Sequence, residues 1–259
     1  MDVNCYDAIA DLYDIYVAVT FDVDFFVEET KKAAGEVLEL MSGTGRVSVP
    51  LAEAGVKLSC ADVSAASNAI LRKKLSQRGL KADVYQMDVC KLELRKKFDM
   101  VIIPFHSFAH LVSVEDQRQA LARIREHLLP GGTFICTLRN PNLRQKEVDG
   151  QLRFFGKYPL PEAQGTLLFW TIEDHNADDE RIVEATQLYE EYDAQGVLKS
   201  KRILELHFRL SSRDEFEGLA RAAGFKPKAF YGDYSRSDFK DDSPFMIWLL
   251  ENAGQPSAG

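Results

Sequence analysis

Glu36-Val37-Leu38-Glu39-Leu40-Met41-Ser42-Gly43-Thr44-Gly45-Arg46 opens as a short strand, breaks at two glycines and continues into a helix that reaches about residue 54 and stops at Gly55. Glycines let a backbone approach a ligand closely, and a helix start offers N–H groups that have no partner inside the helix. In an open α/β sheet, ligands collect at this carboxyl edge of the strands. The stretch can also be a plain strand–helix turn, so its weight depends on the residues downstream.

The same rhythm repeats along the chain. Lys57 to Ala61 reads as a second strand ending at Asp62, and Ser64 caps a helix that runs to Arg78 and stops at Gly79. Ala82 to Gln86 is a third strand. Asp99-Met100-Val101-Ile102-Ile103 is a fourth, its unbroken apolar run expected of a strand buried on both faces. A helix comes next over Val114 to Leu129, and Pro130-Gly131-Gly132 turns into a strand over Thr133 to Leu138. Alternation of this kind predicts a parallel sheet with helices on both faces. Upstream, residues 5–18 and 22–34 read as two helices rich in acids and aromatics.

Beyond Gly150 the period shortens to two, as in Thr166 to Ile172 and Ile203 to Phe208, with turns at Asn176–Asp179 and Asp193–Gly196. This is the pattern of an inserted antiparallel meander. Helix returns over Arg213 to Ala223. Two last strands, Lys226 to Tyr231 and Pro244 to Leu250, are joined by too little chain for a crossover helix and should form a hairpin. The expected organisation is a Rossmann-like domain over residues 1–149 and 211–251, its N-terminal helices acting as a lid. The meander, residues 150–210, is expected as a substrate lid or homodimer contact, and residues 252–259 as a flexible tail.

Composition narrows the function. A net charge of −8, with no long basic run, speaks against a nucleic-acid partner. No apolar run has the length to span a bilayer, and Asp2, Asp7, Asp11 and Asp14 do not suit a signal peptide, so a cytoplasmic protein without a membrane partner is expected. Cys5, Cys60, Cys90 and Cys136 lie far apart, without a Cys-x-x-Cys pair, and read as reduced packing residues.

Two carboxylates complete the edge. Asp62, at the end of the second strand, can accept both ribose hydroxyls of an adenosine, or serve only as a turn or cap residue. Asp88, after the third strand, can accept the exocyclic amine of adenine while Met87 and Val89 sandwich the ring, or it can merely start a turn.

With these motifs in place, the sequence resembles the class I S-adenosylmethionine-dependent methyltransferases. It is most similar to their small-molecule group, which contains glycine N-methyltransferase and amino-sugar N-methyltransferases. The resemblance is carried by Glu36–Gly45, Asp62, Asp88 and Phe98–Ile103, by Pro104-Phe105-His106-Ser107-Phe108-Ala109-His110-Leu111, and by Leu128–Phe134. Tyr6-Asp7 and Tyr13-Asp14 resemble that group's N-terminal tyrosine segment, which closes over the cofactor. It implies a seven-stranded sheet with an antiparallel last strand and S-adenosyl-L-methionine as cofactor. It also implies methylation of a small-molecule nitrogen or oxygen, leaving S-adenosyl-L-homocysteine. The cofactor residues it implies are Tyr13, Glu39, Met41, Gly43, Gly45, Arg46, Asp62, Val63, Met87, Asp88, Val89, Pro104 and Phe105. Met41 departs from the family, which usually has glycine there. A side chain at that position has to point away or fill space near the cofactor's methionine portion.

On the acceptor side, His106 is the expected base or hydrogen-bond partner of substrate, and His110 is expected to cap or orient the loop. Their i, i+4 spacing has no third ligand nearby, so no metal is expected. Tyr16, Arg139, Trp170 and Tyr231 are further candidates for substrate contact, although each could simply pack. Two other readings stay open on sequence alone. One is a protein of this fold with weak or lost catalysis. The other is an NAD-dependent oxidoreductase, although its G-x-G-x-x-G fingerprint fails at Ser48.

Overall fold

A computed structural model describes residues 5–161 and 165–254. Seven strands form one mixed sheet: β1 (Glu36–Leu40), β2 (Lys57–Asp62), β3 (Asp83–Gln86), β4 (Phe98–Ile103), β5 (Leu128–Arg139), β10 (Phe225–Tyr231) and β11 (Phe245–Asn252). Their order is β3-β2-β1-β4-β5-β11-β10. The pairs among β1 to β5 are parallel, while β11 runs antiparallel to both β5 and β10, which gives the expected closing hairpin.

Side-chain alternation along β1 explains the layering. Leu38 and Leu40 point to one face, where α5 (Val114–His127) and α7 (Arg213–Ala222) cover them with Ala120, Leu121, Ile124, Phe216 and Ala220. Val37 points to the other face and packs with Ile102, Phe26, Leu51 and Leu71 beneath α2 (Val23–Thr30), α3 (Ser48–Glu53) and α4 (Ala65–Gln77). A strand covered on both sides has no polar face, which is why β4 reads as a continuous apolar run.

Helix ends follow their cap residues. Ser64 accepts from the Ser67 N–H at 3.0 Å, and Ser212 with Glu215 forms a reciprocal capping box at the start of α7. The N-terminal segment differs from its sequence reading: Cys5–Ile9 winds as a 3₁₀ turn, and only Ala10–Tyr16 forms the helix α1. β5 also begins earlier than expected, because Leu128 pairs with Phe98 before the Pro130-Gly131-Gly132 kink shifts the register. Asn252, expected in a flexible tail, ends β11 instead, and its amide donates to the Leu128 and Leu129 carbonyls at 3.2 Å each. Residues 255–259 of that expected tail lie outside the described residues.

The meander is a separate four-stranded antiparallel sheet of β6 (Arg153–Pro159), β7 (Thr166–His175), β8 (Ile182–Tyr192) and β9 (Leu198–Arg209). Its inner face (Leu167, Phe169, Ala185, Tyr189, Leu204 and Leu206) packs on Ile9 and Leu12 of the N-terminal segment. Among the described residues, no helix is long and apolar enough to cross a membrane.

Candidate active site

At the carboxyl edge, the turn after β1 holds Gly43 and Gly45 at φ +55° and +87°. Gly45 also has no room for a side chain, since a Cβ there would collide with Leu71. Met41 adopts the left-handed region too, at φ +56°. Asp62 accepts from the Gly43 N–H at 2.7 Å and from the Ser64 N–H at 2.8 Å. Burial pushes the Asp62 carboxyl pKa up, against the opposing pull of those N–H donors. A carboxylate offers about four lone-pair sites, so two bonds leave acceptor capacity for a ligand. Asp88 caps the next turn through the Cys90 N–H at 2.9 Å. For both residues, the turn-forming role and exposure to the cavity coexist.

Over this floor lies the N-terminal segment, held by its acids. Asp14 accepts from Thr44 Oγ1 at 2.7 Å and pairs with Lys74 at 2.5 Å. Asp7 accepts from Ser64 Oγ and from the Ala66 N–H. Asp22 grips Arg46 through both oxygens at 2.5 and 2.6 Å, and Asp11 grips Arg202 in the same way at 2.6 and 2.9 Å. The clasps place Tyr6, Tyr13 and Tyr16 in successive edge-to-face contacts above the sheet. The space between is a cavity of about 320 Å³.

The β4 side of the cavity has a defined proton arrangement. His110 Nδ1 lies 3.3 Å from the His207 carbonyl, and a carbonyl can only accept, so Nδ1 carries the hydrogen. Burial lowers the His110 pKa, which leaves a lone pair on Nε2, and the Tyr6 hydroxyl donates to it at 3.2 Å. A second chain runs beside it. The Tyr189 hydroxyl gives its single proton to Gln187 Oε1 at 2.7 Å, so Tyr16, 2.9 Å away, donates to Tyr189.

A methyltransferase-domain family model matches residues 37–132, the span from β1 through the turn inside β5. Over 254 residues the chain is 27% identical to a glycine/sarcosine N-methyltransferase of Halorhodospira halochloris, covering 93% of this chain and 84% of that one. Residues 37–132 thus form a methyltransferase domain, of the S-adenosylmethionine-dependent kind. Two solved structures share the fold of this methyltransferase over nearly its whole length. An S-adenosylmethionine-dependent methyltransferase of Clostridium acetobutylicum superposes with TM-score 0.81 at 18% identity, over 97% of this chain and 100% of that one. A sugar N-methyltransferase of Streptoalloteichus gives 0.72 at 18% identity, over 92% and 91%. S-Adenosylmethionine is the methyl donor.

The methyltransferase brings most of the sequence candidates together. Tyr13, Tyr16, Met41, Gly43, Asp62, Val63, Met87, Asp88, Val89, Phe105 and His110 all line the cavity. Glu39 does not: it lies under the turn and accepts from Ser48 Oγ at 2.6 Å, and burial pushes its pKa up to about 8. Gly45 and Pro104 are not in the lining either. Arg46 is engaged with Asp22, and its guanidinium carbon sits 4.2 Å from the centroid of the Phe105 ring.

The two histidines exchange their expected places. His110 faces the cavity, whereas His106 is not in the lining and stacks between Phe105 and Phe245. The cause is the backbone: Phe105 and His106 both have positive φ, +53° and +63°, which turns the loop so that the His106 ring swings to the β11 side. Arg139 pairs with Glu147 at 3.2 Å, Trp170 packs on Phe154 across the outer face of the meander, and Tyr231 sits in the core against α2 and β11. None of these three lines the cavity. Asn140 is likewise structural, capping α6 (Pro141–Arg144) and donating to the Asp241 and Ser243 carbonyls.

Gln187 escaped sequence reading. It shares the inward face of β8 with Val183, Ala185 and Tyr189, so a polar residue in an otherwise apolar alternation was the available signal. Among the described residues, no group of three or more His, Cys, Asp or Glu is disposed to hold a metal ion.

Proposed function

We propose that this methyltransferase methylates an amine nitrogen of a small molecule held between the tyrosine lid and His110. The observation that carries the reading is a juxtaposition in one cavity. Asp62 and Asp88 stand at the β2–β3 side, and the Tyr6–His110 pair stands at the β4 side. Asp62 and Asp88 suit the hydroxyls and amine of the donor's adenosine, and Met87 and Val89 suit its ring. Arg46, which follows Gly45 and stays paired with Asp22, brings a positive charge to the glycine-turn end of the cavity, where it suits the donor's carboxylate.

When bound, the donor supplies a methyl group already activated by its sulfonium. The protein has to align the nucleophile and exclude water. A hydroxyl acceptor would need a base with a pKa near neutrality. His110 has its pKa lowered by burial, and no carboxylate stands beside it in the lining, which favours an amine. The Halorhodospira relative is named for methylation of a nitrogen, which supports the same choice. Gln187 brings the meander into the site as one wall of the cavity. The outer face of that sheet carries a cross-strand row of Phe154, Trp170, Leu188 and Ile203, the surface on which a second copy would pack.

The test is calorimetry with S-adenosylhomocysteine on the wild type and Asp88→Ala. Loss of one acceptor to the adenine amine costs about 1–3 kcal/mol, or about fivefold to 150-fold in Kd. Absence of measurable binding to the wild type would end the proposal. Mass spectrometry of products made with labelled donor then reads whether the methyl group sits on nitrogen.

A further inference from the structure

Among the described residues, the charged side chains that line the cavity are Asp62 and Asp88, both acidic and both at the β2–β3 side. The polar groups of the opposite side are Tyr6, Tyr16, Ser107, His110 and Gln187. All are neutral, His110 because burial disfavours its charged form. Their hydrogens are largely committed: Tyr6 donates to His110, Tyr16 to Tyr189 and Tyr189 to Gln187.

Several arginines outside the lining are committed as well, Arg209 to Asp179 among them. Arg202 is held by Asp11 and Glu191, Arg139 by Glu147, and Arg144 by Glu147 and Glu173. None of them lines the cavity. Arg46 is likewise committed, to Asp22, and does not line the cavity. A carboxylate stripped of water needs a cation or a set of directed N–H donors; among the described residues this side offers no cation, and the Gln187 amide is its one side-chain N–H donor without a stated commitment. This side supplies instead the rings of Tyr6, Tyr13 and Tyr16 with the aliphatic surfaces of Ala10, Val17 and Leu111. Aromatic faces favour the positive charge that an amine gains on methylation.

We infer that the acceptor is an amine on an apolar or neutral body, with no carboxylate or phosphate beside the reacting nitrogen. An α-amino acid is therefore held more weakly than its amide, although the Halorhodospira relative is named for methylation of one. This inference rests on the proposed methylation of an amine in this cavity.

The test uses near-isosteric pairs in which an amide replaces the carboxylate: glycinamide against glycine, and phenylalaninamide against phenylalanine. Each is titrated into the full chain saturated with S-adenosylhomocysteine, and Kd is read rather than rate, so that the differing basicity of the amines does not dominate. Saturation with S-adenosylhomocysteine is confirmed first, and its failure counts against the proposed function rather than against the acceptor class. The expected result is that at least one amide binds about tenfold or more tightly than its acid. Acids that bind as tightly as their amides overturn the inference. So does a set in which neither amide binds, because the neutral amine is then not the class the cavity takes.

Discussion

The Tyr6 hydroxyl and His110 Nε2, 104 positions apart in the chain, meet at 3.2 Å with their rings edge to face. The pair joins the lid to the loop after β4 and makes the two residues one unit. Tyr6→Phe, which keeps the ring, is expected to lower kcat about tenfold while the Kd for S-adenosylhomocysteine changes by less than about threefold. His110→Ala should do the same, and the double variant should be little worse than either alone. Steady-state kinetics on the three variants checks this, and multiplicative losses would show that the two residues act separately.

Asp14 ties α1 to the glycine turn through Thr44 and to α4 through Lys74. Its side chain is 41% exposed, so the ion pair itself contributes little, about 1 kcal/mol at most. Asp14→Ala should leave the melting temperature nearly unchanged and loosen the lid selectively. Hydrogen exchange is expected to accelerate over residues 10–16 and not in β1 or β4. Uniform acceleration across the sheet would mean that the clasp supports the whole domain.

Met41 holds a left-handed backbone at φ +56° with a side chain that lines the cavity and touches the core below α5. That conformation costs a non-glycine residue about 1–2 kcal/mol. Glycine would remove the strain, lose about 0.5–1 kcal/mol to chain entropy and forfeit some packing. Met41→Gly should therefore change unfolding free energy by less than about 1 kcal/mol. The cavity gains room at the same time, so KM should fall for the bulkier of two accepted amines. Urea unfolding and a comparison of two amines test the two halves independently.

His106 is pushed down to about 3 from 6.5 by burial, with the positive charges of Arg139 and Arg46 adding to the effect. Its Nδ1 finds no partner among the described residues. The unfolded chain therefore binds a proton that the folded chain refuses. Stability from the neutral ring is fully present above pH 6.5 and is lost as pH falls toward about 3. The slope is at most about 1.4 kcal/mol per pH unit. His106→Phe keeps a ring between Phe105 and Phe245 and should flatten the acid limb by up to that amount. Urea midpoints followed over this range decide it, and equal slopes in the two proteins would contradict the placement of the ring.

Local pattern carried a great deal. The alternation of strand and helix from Glu36 to Leu138, the double-sided apolar run of β4, and the shift to period two in the meander depend on neighbours a few residues apart. Chain order is enough to read them. Asp62 and Asp88 were legible because each stands at or just past the end of a strand whose position is set by that same periodicity. The N-terminal acids were legible only as charge: nothing in their spacing says that Asp7, Asp14 and Asp22 reach Ser64, Lys74 and Arg46.

By itself, then, the sequence determined the layered α/β architecture, the glycine turn and the two carboxylates of the carboxyl edge. Periodicity and turn chemistry act within a few residues and need no knowledge of the rest of the fold. Which histidine faces the cavity was decided only by the assembled structure, through two consecutive positive φ angles at Phe105 and His106. The same holds for Gln187, which enters the site because β8 packs beneath the N-terminal segment, and for the diversion of Arg139, Trp170 and Tyr231 to other contacts. Side-chain direction in a loop, and the meeting of segments far apart in the chain, come from packing between elements, which residue type and spacing do not encode.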